Sequence, residues 1–307
     1  MRRGHMRRGV VLGAVIVVGV LSMAVARPQA QLPGPNVIDI EKLKDNLYVL
    51  TSSTPGNPAT FSGGNVAVFV TDRGVVLVDT KLAGWGQAVL DKIKTVTSKP
   101  ITTIINTHTH GDHTGNNGFF GATVDSVTHE NTAANMAKMD AFKSGNTQFL
   151  PKKTFKDRMS IGSGKDRIDL YYFGAGHTNG DAFIVFPALR VMHAGDMFAW
   201  KDAPLYDRNN GGSGVAHPQT IAKVLAGIKG VDTVIPGHMP VTTWKELEEY
   251  QRFTSDLLTA VQGAIKAGKN AGDAVASIDL TPKYKGYRSE RVKAAVEAIY
   301  AELKPSS

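Results

Sequence analysis

Ile101-Thr102-Thr103-Ile104-Ile105-Asn106-Thr107-His108-Thr109-His110-Gly111-Asp112-His113 runs from a β-patterned segment into three imidazoles and a carboxylate. Packing asks for nothing of the kind at a strand end, and ionisable groups this dense are costly unless a cation organises them. In an extended segment alternate side chains share a face, so His108 and His110 can converge on one ion. Asp112 and His113, just past the turn glycine, can swing towards a second.

Three more polar clusters stand where β-patterned runs end: Gly176-His177-Thr178-Asn179-Gly180-Asp181, His193-Ala194-Gly195-Asp196 and Pro236-Gly237-His238. Loops from one edge of a sheet can meet there. Upstream, β-like runs occupy Leu47–Leu50, Val66–Val70 and Val75–Val78, the last closed by Asp79. Thr51–Gly64 is rich in Gly, Pro, Ser and Thr and reads as a long hairpin loop. Helical patterns are expected near 87–96, 116–120, 131–139, 219–227, 243–266 and 288–303. Further β runs are expected near 123–127, 154–161, 167–173, 182–186, 190–193 and 233–235, with a Gly/Asp/Asn-rich loop over 201–214. Strands in both halves with helices interposed imply α/β layers.

The N-terminus reads as a signal peptide over residues 1–26. Arg2, Arg3, Arg7 and Arg8 precede the apolar run Val10–Val25, and Ala24-Val25-Ala26 suits small-x-small cleavage. The alternative is an uncleaved membrane anchor, since the run approaches spanning length. Arg7-Arg8-Gly9-Val10-Val11 also resembles a twin-arginine signal. A periplasmic or secreted protein is expected. Without the four leader arginines, 31 basic residues face 27 acidic ones, too slight and scattered an excess for a nucleic-acid partner. The lack of cysteine excludes disulfides, thiolate sites and cysteine nucleophiles, so any metal must be held by nitrogen and oxygen.

The T-H-x-H-x-D-H run, G-H-T, G-D and P-G-H, in that order, make the chain similar to the metallo-β-lactamase-fold superfamily of hydrolases. The resemblance covers roughly Val37 to Trp244. It implies an α/β (α+β) fold, a four-layer αβ/βα sandwich with metals at one end. The catalytic domain would span 37–242, with C-terminal helices over 243–307 packed on it. Carried over by position, His108, His110 and His177 would hold one metal, Asp112, His113 and His238 a second, and Asp196 would bridge them. Two Zn2+ are implied, with Mn or Fe also compatible with such donors. Two ions roughly 3.5–4 Å apart can share a hydroxide, bound water dropping to a pKa of about 7. Asp112 would orient the water or shuttle a proton.

Asp79 is read either as support for the H-x-H turn or as a strand-end cap. Asp181 is either a support of the metal loops or a turn residue. His193 is expected to be a satisfied core or supporting histidine, His129 a cap or surface residue, and His217 solvent-facing. Trp200 and Tyr206 are read as pocket-lining or structural; no motif assigns substrate contacts.

Asp196 discriminates among relatives. Zinc β-lactamases generally place cysteine or serine there, whereas glyoxalase II-like thioesterases, lactonases and phosphodiesterases use a bridging aspartate. Lactonases often carry tyrosine three residues later, where this chain has Ala199. A glutathione thioesterase fits poorly with export and with the absence of a basic tail domain. The reading is an exported dinuclear zinc hydrolase that uses a metal-bound hydroxide on a small ester, lactone, thioester or lactam. β-Lactam hydrolysis is the alternative within the class. Outside it stand a mononuclear iron, persulfide dioxygenase-like oxidoreductase, which the second-metal set argues against, and a metal-dependent binding protein.

Overall fold

The alternation of side chains along the strands sorts the apolar residues into three separate cores. In a computed structural model, which describes residues 37–52, 57 and 60–304, two mixed sheets lie face to face. The signal-peptide reading, residues 53–56 and 58–59 of the long loop, and the last three residues lie outside the described residues. The first sheet runs in the order β1 (Ile38–Lys44), β2 (Leu47–Ser52), β3 (Val66–Val70), β4 (Val75–Val78), β5 (Ile101–Ile105), β6 (Asp125–His129), β7 (Lys153–Phe155). The second contains β8 (Arg158–Ile161), β9 (Ile168–Tyr171), β10 (Phe183–Phe186), β11 (Val191–Gly195), β12 (Thr233–Pro236) and β13 (Thr242–Thr243), each paired with the next.

Period-two alternation does the sorting. Ala67, Phe69, Val76, Val78 and Ile105 of the first sheet meet Leu170, Ile184, Phe186 and Ile235 of the second in the central core. Their neighbours Val66, Val68, Val75 and Leu77 face outward onto Val89 and Ile93 of α1 (Gly86–Lys94). On the far side Phe183, Val185, Met192 and Val234 pack against three helices, α5 (His217–Gly227), α6 (Trp244–Lys266) and α8 (Val292–Leu303). Strands fully buried on both faces thus read as apolar runs, and the four layers of an αβ/βα sandwich follow.

α6 starts where the sequence signals it, at a capping box in which Thr243 Oγ1 accepts from Glu246 N and Glu246 reaches back to Thr243 N. Other expectations are corrected. The run 154–161 is not one strand: it breaks at Lys156-Asp157, and its halves, β7 and β8, enter different sheets. Strand β1 and helix α7 (Ala271–Ser277) had no distinct signal, because β1 is half-exposed and carries four charges. α8 begins at Val292 rather than 288, since residues 288–291 are fastened elsewhere: Arg288 N donates to Lys201 O. Among the described residues no helix is long and apolar enough to cross a membrane.

Candidate metal centre

The carboxyl ends of β4, β5 and β12, with the loop after β11, converge at one edge of the sandwich, and the polar clusters come together there. After β5 the chain turns into the single helical turn α2 (Gly111–Thr114), with His110 extended at its N-cap. That turn brings Asp112 and His113 round beside His108, with the His108 and His113 ring centroids 4.2 Å apart, and into reach of His238. Two groups of ligand-capable atoms result, each lying within 4.8 Å of one another: His108, His110, His177 and Asp196, then Asp112, His113 and His238.

Asp196 faces both groups. Its Oδ1 lies 3.3 Å from His113 Nε2 and 3.2 Å from His238 Nε2, and its Oδ2 lies 3.6 Å from His177 Nε2. Asp112 Oδ2 is 3.2 Å from His238 Nε2 and 3.6 Å from His113 Nε2. Gly237 makes room for the carboxylate, since a Cβ there would sit 1.9 Å from Asp196 Oδ1. Gly64 does the same for His113, whose Cε1 would be 2.2 Å from an added Cβ.

Hydrogen bonds behind the rings fix which nitrogen is free. His113 Nδ1 donates to Asp79 Oδ2 at 2.7 Å, leaving Nε2 with its lone pair. Thr107 Oγ1 donates to the same Asp79 oxygen at 2.7 Å, so it accepts from His108 Nδ1 at 3.0 Å. Thr107 N donates to Asp79 Oδ1. Asp79 thus splints the whole turn and orients two rings. His177 Nδ1 donates to Leu205 O at 2.7 Å, and His110 Nε2 to Asp207 Oδ2 at 2.7 Å. The remaining nitrogens point at each other: His177 Nε2 and His110 Nδ1 are 2.9 Å apart, His113 Nε2 and His238 Nε2 3.2 Å. Buried His108 Nε2 has no hydrogen-bond partner among the described residues. Lone pairs so directed repel unless a proton or a cation lies between them, and two divalent cations fit this donor set of imidazoles and carboxylates.

The electrostatics agree. Burial opposes charging His113, yet Asp112, Asp196 and Asp79 outweigh it and raise the ring's pKa well above the imidazole range. His238 is raised likewise against burial, chiefly by Asp196. Burial pushes the Asp112 carboxyl up, but His113 and His238 bring it down to about 2. His108 is pushed low by burial and by the neighbouring rings, His113 foremost. The site behaves as one shared charge system.

The other sequence-flagged residues sit behind it. Asp181 holds the His177 turn by accepting from Thr178 N and Thr178 Oγ1, both at 2.7 Å. His193 is fully buried, donating to Asn65 O and accepting from Gly195 N. His129 caps α4 (Glu130–Met136) by accepting from Asn131 N, but it is buried against Tyr172 rather than on the surface. His217 corrects its expectation: it is 0 % exposed, wedged against Tyr206 and Tyr250, with its pKa lowered to about 3 by burial and then by His177. Tyr206 is buried too, whereas Trp200 lines the cleft. Asp207 and Lys81 escaped the sequence reading. Asp207 lies in a loop whose Asp and Asn content signalled only turns. Lys81 is wholly buried, donates to Gly64 O at 3.0 Å, and is lowered to about 7 by burial despite the nearby Asp112.

The site opens into a cleft of about 660 Å³ lined by His110, Asp112, Asp196 and His238 together with Phe61 and Trp200. The metallo-beta-lactamase superfamily description matches residues 59–238 of the chain. A metallo-beta-lactamase type 2 of Elizabethkingia meningoseptica is 29% identical over 241 residues, covering 75% of this chain and 88% of that protein. One of Bacteroides fragilis is 21% identical over 73% of this chain and 88% of its own length. Among solved structures, a metallo-beta-lactamase from Pontibacter korlensis shares the fold with a TM-score of 0.60, at 22% identity over 71% of this chain and 99% of its own. With that match spanning more than half its length and the donor set in place, the chain belongs to the metallo-beta-lactamase superfamily of metal-dependent hydrolases.

Proposed function

We propose that this protein is an exported dinuclear zinc hydrolase that cleaves a small ester, lactone, thioester or lactam. The observation that carries the reading is Asp196, whose two oxygens face the two histidine groups separately. His108 Nε2, His110 Nδ1 and His177 Nε2 would hold one ion, and Asp112, His113 Nε2 and His238 Nε2 the other, with Asp196 between them. Bound there, the ions supply Lewis acidity for the substrate carbonyl and a water nucleophile at neutral pH.

The chain's own groups do the rest. Asp112, held ionised by its histidine neighbours, accepts a hydrogen bond from the incoming water at Oδ2 and orients it. Its side chain is 20% exposed, on the cleft side, so water can reach it. Asp79 and Asp207 keep the rings in the tautomers that leave ligand nitrogens free. Phe61 and Trp200, which flank His238, narrow access and exclude bulk solvent.

A second reading, β-lactam hydrolysis, draws support from the name carried by the relatives above, while Asp196 departs from the usual second-site residue of those enzymes. One experiment tests both. The mature chain, expressed with its leader and reconstituted, is assayed for bound metal and for turnover of an ester, a lactone, a thioester, a β-lactam and a phosphodiester. The reading expects about two zinc ions per chain and carbonyl-substrate turnover. One iron per chain with oxygen uptake would overturn it, and β-lactam turnover above all others would select the second reading.

A further inference from the structure

Trp200 stacks flat on the His238 imidazole, ring centroids 4.5 Å apart and planes 13° from parallel. Over the same indole stand two guanidinium groups, Arg291 at 4.3 Å and Arg288 at 5.6 Å. Both arginines line the cleft that contains Asp112, Asp196 and His238. They come from residues 288–291, beyond the segment matched by the family. Their placement is a property of this chain's C-terminal segment.

That segment is built in. Arg288 N donates to Lys201 O at 2.9 Å and Arg291 N to Asp202 Oδ1 at 3.4 Å, which fastens it to the loop following Trp200. Lys201, the basic residue nearest Trp200 in sequence, is engaged elsewhere, 2.5 Å from Glu246 Oε1. Arg288 meets Glu290 only at 3.7 Å, with the two side chains 43% and 70% exposed, a pairing that water largely screens. Arg291's guanidinium rests on the indole; the Asp202 carboxylate accepts from Arg291's backbone and attracts both guanidinium groups electrostatically, with no side-chain hydrogen bond to either among the described residues. The acids on the same cleft are Asp39 and Glu41 of β1 and Glu290 beside the arginines. Among the described residues Arg288 and Arg291 are the guanidinium groups on this cleft, so an anion entering it is drawn to them.

We propose that Arg288 and Arg291 form an anion subsite that selects substrates bearing a carboxylate a short chain away from the scissile carbonyl. The inference rests on the hydrolase reading above and names the substrate class for that site. A guanidinium fork matches a carboxylate in two parallel hydrogen bonds. The indole beneath holds the fork in place, so little side-chain entropy remains to be lost on binding. Arg291 and His238 each lie within 4.5 Å of the indole centroid, so both are within reach of one small molecule.

The test uses the zinc-reconstituted protein with the 4-nitrophenyl monoesters of succinic, glutaric and adipic acid, each beside its methyl-capped neutral diester. At least one acid should exceed its neutral partner roughly 10- to 100-fold in kcat/KM, the range of a charged hydrogen-bonded contact, and added salt should shrink the preference. R288A and R291A should each cut that preference about tenfold or more, with a far smaller loss on the neutral diester. Equal rates for acid and neutral esters at all three lengths would overturn the subsite. So would parallel losses on both in R291A, which would make the arginines a clasp on Trp200 and nothing more. If none of the esters is cleaved, it is the ester reading that fails, and binding decides the subsite separately. Glutarate titrated into the metal-free protein by calorimetry should bind the parent and lose affinity in R288A/R291A; equal binding by both would overturn the proposal.

Discussion

Asp207 touches His110 and nothing of the substrate cleft is assigned to it, yet the 2.7 Å contact to Nε2 is what frees Nδ1 for an ion. Replacing it with asparagine keeps the size and weakens the anchor. We expect D207N to lose zinc affinity about 10- to 100-fold, the usual toll of removing a ligand's supporting partner. Competition against a chromophoric chelator measures it, and unchanged affinity would remove Asp207 from the site. Gly237 is tested at the same scale. A methyl group 1.9 Å from Asp196 Oδ1 has no space without moving the carboxylate. G237A should therefore bind fewer than two ions per chain while its circular dichroism stays native. Retention of both ions with full turnover would contradict a bridging Asp196.

At the scale of the element, α5 begins at His217, a ring with both nitrogens buried and without hydrogen-bond partners among the described residues. Burial keeps it neutral, with a folded pKa of about 3 against 6.5 when unfolded. Between those values the unfolded chain holds the extra proton, so stability falls as pH drops through the window. From pH 7 to 4.5 this group alone costs on the order of 3 kcal/mol at about 1.4 kcal/mol per unit. Urea unfolding of H217F, which keeps a ring and removes the titration, should show a shallower acid loss than the parent; identical slopes would refute the assignment. In α8, Ile299 is 0% exposed and packs into the core shared with α5 and α6. I299A should cost about 2–5 kcal/mol by denaturant unfolding, and a cost near zero would mean that this helix is not part of the cooperative unit.

Across the whole molecule, the proposed metals and the fold should be coupled. Asp196, Asp112 and Asp79 crowd one region, and without ions protons must do the neutralising, on His113 and His238. Binding zinc requires those rings neutral, so adding zinc to metal-free protein in weak buffer near pH 7 should release protons, and affinity should rise with pH. Chelation should lower the melting temperature in a metal-dependent way, equivalent to about 4 kcal/mol at a thousandfold excess over Kd. A melting temperature indifferent to chelator would separate the metal from stability.

The heptapeptide from Thr107 to His113, with His177, Asp196 and His238, was legible in the chain itself because metal donors are rare residue types in dense local patterns, and short continuous apolar runs between turn signals announce buried strands. Asp79 was legible as a strand-end acid that either supports the H-x-H turn or caps the strand; the structure shows the support, through Thr107 and His113. Asp207, Lys81 and the burial of His217 were not legible, because loop aspartates, lysines and lone histidines look the same whether they face water or a site 97 residues away in sequence, as Asp207 does His110. The break at Lys156-Asp157 escaped for a related reason: sheet membership is decided by distant pairing partners, not by local propensity. The sequence by itself determined the buried apolar strands, the candidate donor residues and the family of the fold, since these depend on residue type and short spacing. Only the tertiary structure decided which nitrogen of each ring is free, how Asp196 faces two groups at once, and that Arg288 and Arg291 return over Trp200, since each depends on contacts between residues far apart in the chain.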